Sequence, residues 1–345
     1  MDNPQRSKEG RGVGFWAMAF LAFFFFLFSV ILTLTLIGSF AAWRALVPGD
    51  RVLKEEYLEE TVEGSGEKKI VMIPIQGIIR SESMAFLPDE SAVVEVFKKQ
   101  LDHIKKDAKV EALLLRIDSP GGGITASDII YNEIIKYKEE TKKKVVACMG
   151  DVAASGGYYI SVGADKIVAH PTTVTGSIGV IMPLINVSGL IQRYGIEDKS
   201  ITSGAMKDIG SPTRPMRPEE EAVLKEIIQE MYNRFVTVIS KGRNMDIEDV
   251  KRLADGRIYT AQQAQEKGLV DQVGYISDAI KLTKELAGLK EARVIKYRKR
   301  WQLSDLFKVA GGRLLPNVSP LGWPSMDFPK LMYLWPGFPE KAVSY

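Results

Sequence analysis

"VEALLLRIDSPGGGITASDIIYNEIIKYKEETKKKVVACM" occupies residues 110–149, and its reading decides the fold. Residues 110–118 form a nearly continuous apolar run, which is the pattern of a strand covered on both faces. The run ends in Ser119-Pro120-Gly121-Gly122-Gly123, followed by a helix-period segment over 126–140 and a second apolar run over 144–149. Strand, helix and strand in this order predict parallel pairing in an α/β sheet. Upstream, "IVMIPIQGII" (70–79) reads as another buried strand. The helix after it, 91–106, puts Val93, Val94, Phe97, Leu101 and Ile104 on one face. Downstream, a long helix opens at Pro218 with three glutamates in its first turn and closes at Gly242, with good start and stop signals.

Composition narrows the function classes. A net charge of +3 over 345 residues, with no basic stripe interleaved with aromatics, argues against a nucleic-acid partner. The single cysteine, Cys148, excludes an internal disulfide and a cysteine-built metal site. It lies inside an apolar strand and reads as an inert thiol.

Residues 12–43 hold no charge, and "FLAFFFFLFSVILTLTLIGSF" is apolar almost throughout, between Trp16 and Trp43. About 20 residues cross a bilayer core. A cleaved signal peptide is the alternative, with Ser39-Phe40-Ala41 as a small-residue site. The apolar run is much longer than the 7–15 residues usual for a signal, which favours a retained anchor. Arg6, Lys8 and Arg11 on one side balance Arg44, Arg51 and Lys54 on the other, so charge does not orient it. The organisation is therefore an N-terminal segment (1–11), an anchor (12–43), an acidic then Gly/Ser-containing linker (44–69), the α/β domain (70–298) and a tail (299–345). The tail is rich in proline and aromatics and reads as an extended segment lying on a groove or a neighbouring subunit.

Ser155 follows the 144–149 strand and sits between Ala153-Ala154 and Gly156-Gly157. A hydroxyl at such a junction serves as a helix cap or as a nucleophile, and a nucleophile needs a base. The chain has two histidines. His103 falls on the polar side of the 91–106 helix, where solvation explains it. His170 ends the strand "KIVA" before Pro171 and leaves a Ser-His-Asp arrangement open, since triad members need not be neighbours in sequence. Lysine is the other candidate, if its pKa falls from about 10.4 towards 7–8. Lys207, in "SITSGAMKDIGSPTRP" after the strand-like "DKSIT", has the small and apolar neighbours such a base requires. Asp208 beside it would hold the ammonium charged if it pointed inward, and an ordinary loop lysine is the competing reading.

Four stretches, "SPGGG", "DVAASGGYYISVGADKIVAHPTTVTGSIGV", "GAMKDIGSPTR" and "ADGRIYTAQQAQEKGLVDQVG", occur in the order found in the signal peptide peptidase A family. The chain resembles the short, single-copy form of these bacterial membrane-anchored serine peptidases over about residues 70–286. The resemblance implies a fold of the caseinolytic-protease and crotonase type, with parallel sheets and flanking helices behind one transmembrane helix. It makes Ser155 the nucleophile, Lys207 the general base and Ser177 the hydroxyl that orients the lysine. It also assigns Gly122 to the oxyanion hole, with Gly156 as a second N–H donor. It implies no metal or nucleotide cofactor. It further implies hydrophobic peptide substrates such as remnant signal peptides, and a ring-like homo-oligomer on the bilayer with its catalytic domain outside the cytoplasm. Serine and lysine in the short form can come from adjacent subunits. The histidine base of the caseinolytic protease has no counterpart here; "VTGSIGV" stands near its place, which favours lysine. Two readings from other classes compete: a crotonase-like acyl-thioester enzyme, which uses oxyanion-hole glycines without the Ser155–Lys207 pair, and a non-catalytic membrane scaffold.

Overall fold

The computed structural model describes residues 11–46, 57–81, 93–299 and 332–334. Two units separate along the chain, residues 1–57 and 58–345. In the first, helix α1 (Arg11–Leu46) is long and apolar enough to cross a membrane, with a mean hydropathy of 2.7 over Phe20–Ser39. Thr33 and Thr35 donate their hydroxyls to the carbonyls of Ser29 and Leu32, so these polar groups are satisfied within the helix.

In the second unit the apolar runs become β2 (Lys69–Gln76), β3 (Val110–Ser119) and β5 (Lys144–Ala154). They lie side by side in parallel, with β6 (Lys166–Ala169) and β9 (Gln272–Val273) continuing the sheet beyond β5. β10 (Arg293–Lys299) pairs in parallel with the other edge of β2, and β1 (Tyr57–Glu63) follows it. Alternate residues face opposite ways, and the central strands β2, β3 and β5 are buried on both faces. One face packs Ile70, Met72, Leu114, Val146 and Val168 with Ala279 and Ile280 of α9 (Ile276–Leu286). The other side carries α2 (Val93–Lys105), which buries Phe97, Leu101 and Ile104, and α3 (Ile124–Thr141), which buries Ile130, Ile134 and Tyr137. Cys148 lies in this core, and burial pushes its thiol up to about 11, so the thiolate is disfavoured.

Three expectations differ from the structure. The acidic stretch placed in the linker forms β1, and its charges face the basic β10: Glu60 pairs with Lys296 at 2.9 Å and Arg298 at 3.2 Å. Opposite charges across the pair stabilise an edge strand that has little apolar character. "DKSIT" forms no strand. The Asp198 side chain instead accepts the Ser200 N–H and hydroxyl in a local turn, and Ile201 is fully exposed. His103 is half-buried, with its ring edge-on to Tyr297 at 4.9 Å, so solvation alone does not account for it. The tail's described part, β11 (Met332–Leu334), is a strand antiparallel to β4 (Gly121–Gly123); the rest lies outside the described residues.

Candidate active site

β5 changes neighbour part-way along its length, and that change makes the site. Residues 146–149 pair with β6, whereas Val152, Ala153 and Ala154 pair with β7 (Val174–Gly176). Between them, Gly150 lies against the Asp118 side chain, and the Asp118 carboxylate accepts the Val152 N–H at 3.1 Å. Burial raises the Asp118 pKa. Directly after β5 the chain turns into the short helix α4 (Gly156–Ser161) at Ser155, which has φ 53° and ψ −114°. A serine with positive φ is strained and persists only where its surroundings dictate it. Its N–H donates to Gly176 O at 2.7 Å, which ties the turn to β7.

Ser155 is 1% exposed, and its Oγ has no hydrogen-bond partner among the described residues. Orphaned buried hydroxyls are uncommon and call for an explanation. Small residues surround it for steric reasons. A Cβ on Gly156 would come within 2.5 Å of Ser127 Oγ and 3.2 Å of Gly122 N. A Cβ on Gly122 would strike the Ile79 carbonyl oxygen and lie 2.6 Å from Ile79 N. The main chain of β4 therefore passes directly beside the serine. It is locked there by hydrogen bonds of 2.9 Å from Ile79 N to Gly121 O and from Gly123 N to Ile79 O. Ser177 follows β7, is 7% exposed, and has φ 49°. The β5–β7 pairing thus brings Ser155 and Gly156 beside Ser177, and the passage of β4 next to Gly156 adds Gly122.

The two candidate bases do not join them within one chain. His170 directs Nδ1 to the Thr172 hydroxyl at 2.8 Å, and its ring stands edge-on to Tyr275. Lys207 is exposed, in a succession of turns over 205–210, with no hydrogen bond or ion pair to its ammonium among the described residues. The Asp208 carboxylate does not face it. Asp208 receives Arg214 Nε at 2.7 Å, and this hydrogen bond lowers its pKa.

β11 marks a groove that sequence reasoning left unspecified. Tyr333 stands opposite Gly122 in the β11–β4 register, and β11 packs against α3 and α4. On its other edge Met332 exchanges both main-chain hydrogen bonds with Ile181, at 3.0 and 3.1 Å. Main-chain groups of successive strand residues turn to opposite edges, so those of Tyr333 turn towards Gly122. An extended segment fits between β4 and Ile181.

A buried hydroxyl on a strained turn, backbone N–H groups beside it and a groove that takes an extended chain define an α/β peptidase. Comparison with known proteins agrees. The pattern of peptidase family S49 matches residues 137–290, and that of Clp protease matches residues 72–200. A protein of Enterococcus faecium, provisionally named signal peptide peptidase SppA, is 41% identical over 306 residues, covering 84% of this chain and 86% of its own. A provisionally named protease of Synechocystis is 42% identical over 230 residues, 67% of this chain and 78% of its own. Protease 4 of Salmonella typhi is 35% identical over 207 residues, 60% of this chain and 33% of its own. The chain belongs to peptidase family S49 and is a serine-type peptidase.

Proposed function

We propose that the protein is a membrane-anchored endopeptidase in which Ser155 attacks the peptide carbonyl and Lys207 of an adjacent copy serves as general base. The observation that carries this reading is the buried, unpartnered Ser155 Oγ on its strained turn. The neutral lysine amine takes the Oγ proton as the serine adds to the carbonyl. The N–H groups of Gly122 and Gly156 hold the resulting oxyanion, while Ser177 orients the amine. The proton then passes to the leaving amine, and water hydrolyses the acyl-enzyme.

Lys207 and Ser155 do not pair within one chain, which supports assembly of the dyad between copies. The segment leading to Lys207 exposes Ile185 (77%), Tyr194 (74%), Ile196 (58%) and Ile201 (101%). Apolar exposure of this extent marks a surface that is covered by a partner. A partner covering that surface would also take the exposed Lys207 amine out of bulk water, the setting a lysine base requires. The groove beside β4 binds substrate as an added strand, so affinity comes from main-chain pairing and suits apolar peptides such as remnant signal peptides. Helix α1 keeps the enzyme at the bilayer where these lie, with the catalytic domain outside the cytoplasm.

The test uses the full chain in detergent and a serine-reactive fluorophosphonate probe. Ser155 is labelled in the wild type, and labelling is strongly slowed in Lys207→Ala and unchanged in His170→Ala. Undiminished labelling of Lys207→Ala sinks the dyad.

A further inference from the structure

Lys207 lies in a stretch of turns without regular structure, yet a base must be held in place. The main chain on both sides of it is gripped by two arginines. Arg217 Nη2 donates to the carbonyl of Ala205, two residues before Lys207. Arg214 Nη2 donates to the carbonyl of Asp208, one residue after it, at 3.2 Å, while Arg214 Nε takes the Asp208 carboxylate. Both guanidinium groups converge on one carboxylate, Glu220, in the first turn of α6 (Pro218–Arg243). Arg214 Nη1 reaches Glu220 Oε2 at 2.9 Å, and Arg214 Nη2 and Arg217 Nη2 both reach Oε1. The Arg217 N–H donates to Glu220 Oε2 at 3.0 Å, the return bond of a capping box. The Glu220 side chain has no exposure to solvent, and Arg214, with the Arg217 N–H, holds its carboxyl well below the usual carboxylate range.

Helix capping alone needs one acceptor at this position, not two arginines that reach back across a loop. We propose that Glu220 is the positioning residue for Lys207. It anchors Arg214 and Arg217, which fix the main chain on either side of the lysine, and Arg214 keeps the Asp208 carboxylate occupied. The inference rests on Lys207 being the base. Guanidinium forks suit the task because they bind carboxylate and carbonyl groups in fixed directions.

The experiment is a double-mutant cycle on the full chain, with fluorophosphonate labelling of Ser155 as the readout and peptide hydrolysis for KM and kcat. Glu220→Gln preserves shape and removes the charge. Labelling and kcat are expected to fall about 10–100-fold, the scale of a roughly 1 Å misplacement, with KM within about twofold. In a Lys207→Ala background, Glu220→Gln should slow the residual labelling no further. Arg217→Met, whose side chain is 43% exposed in the wild type, repeats the test with a smaller drop if Glu220→Gln melts early. Wild-type labelling in folded Glu220→Gln and Arg217→Met overturns the inference. So does an equal drop with and without Lys207, which is the mark of a structural role only. Full labelling of Lys207→Ala by itself overturns the base assignment, and the positioning role with it, and so separates the two failures.

Discussion

Replacing Gly122 by alanine tests the closest approach in the site. The new Cβ would overlap the Ile79 carbonyl and lie 2.6 Å from Ile79 N, whereas carbon contacts settle near about 3.5 Å. Both obstacles are backbone, so no side-chain rotation relieves them. β4 must move by about 1 Å, against the two 2.9 Å bonds that lock it to Ile79. Overpacking of this kind costs about 1–3 kcal/mol, a fall of roughly 3–10 °C in Tm for a domain of this size. The Gly122 N–H moves with the strand. Loss of one oxyanion donor costs about 2.7–4 kcal/mol, or about 10²–10³ in kcat. The assay is burst acylation of Ser155 by an ester substrate, alongside a circular-dichroism melt. The expected result is a folded protein with the acylation rate reduced at least 100-fold. Acylation within about threefold of wild type, at an unchanged Tm, refutes both the crowding and the donor assignment.

Mixed oligomers of Ser155→Ala and Lys207→Ala chains, verified by differential tags after co-expression, should regain part of the activity that each lacks. Verified mixed oligomers without activity place the dyad inside one chain. A chain ending at residue 329, which lacks β11, should show a lower apparent KM at unchanged kcat, since a competitor for the groove is gone; steady-state kinetics on an unfolded peptide reads this. The full chain should stay in the membrane fraction through alkaline carbonate, and a chain starting near Glu55 should not; release of the full chain contradicts the anchor. The Asp208 and Glu220 carboxyls titrate below their ordinary values, so their support for the loop is complete above about pH 5 and lost as pH falls through about 4 and below. Limited proteolysis within residues 204–217 should therefore accelerate in acid and be constant from pH 6 to 8.

The sheet was legible because β2, β3 and β5 are uninterrupted apolar runs and their helices keep a clean period. β1 was not, because an acidic edge strand carries no apolar alternation and gains its partner, the basic β10, from far along the chain. β11 was hidden by the prolines around it. Its site is made by Gly122 and Ile181, neither of which signals a groove on its own. Around Ser155 the run of small residues was informative, since a Cβ on Gly156 would come within 2.5 Å of Ser127 Oγ and one on Gly157 within 2.8 Å of Ser119 O. The place of Lys207 relative to Ser155 could not be read, because 52 positions separate them and the turns around Lys207 carry no period that fixes where it lies. The grip of Arg214 and Arg217 left one trace in the sequence, a glutamate at the third position of the helix that begins at Pro218.

β11 holds its place in the groove by main-chain pairing on both edges, and this sets the terms of entry for any other chain. A strand tethered to its own groove competes with any other chain for the same edges without having to arrive by diffusion. A rival displaces it by presenting unpaired N–H and C=O groups along a continuous extended stretch. The backbone of a folded protein is already committed to its own helices and sheets, so it has none to offer. On the proposed reading, such a groove spares folded proteins and takes chains that are already extended. What it admits is decided by whether the visitor's backbone is free.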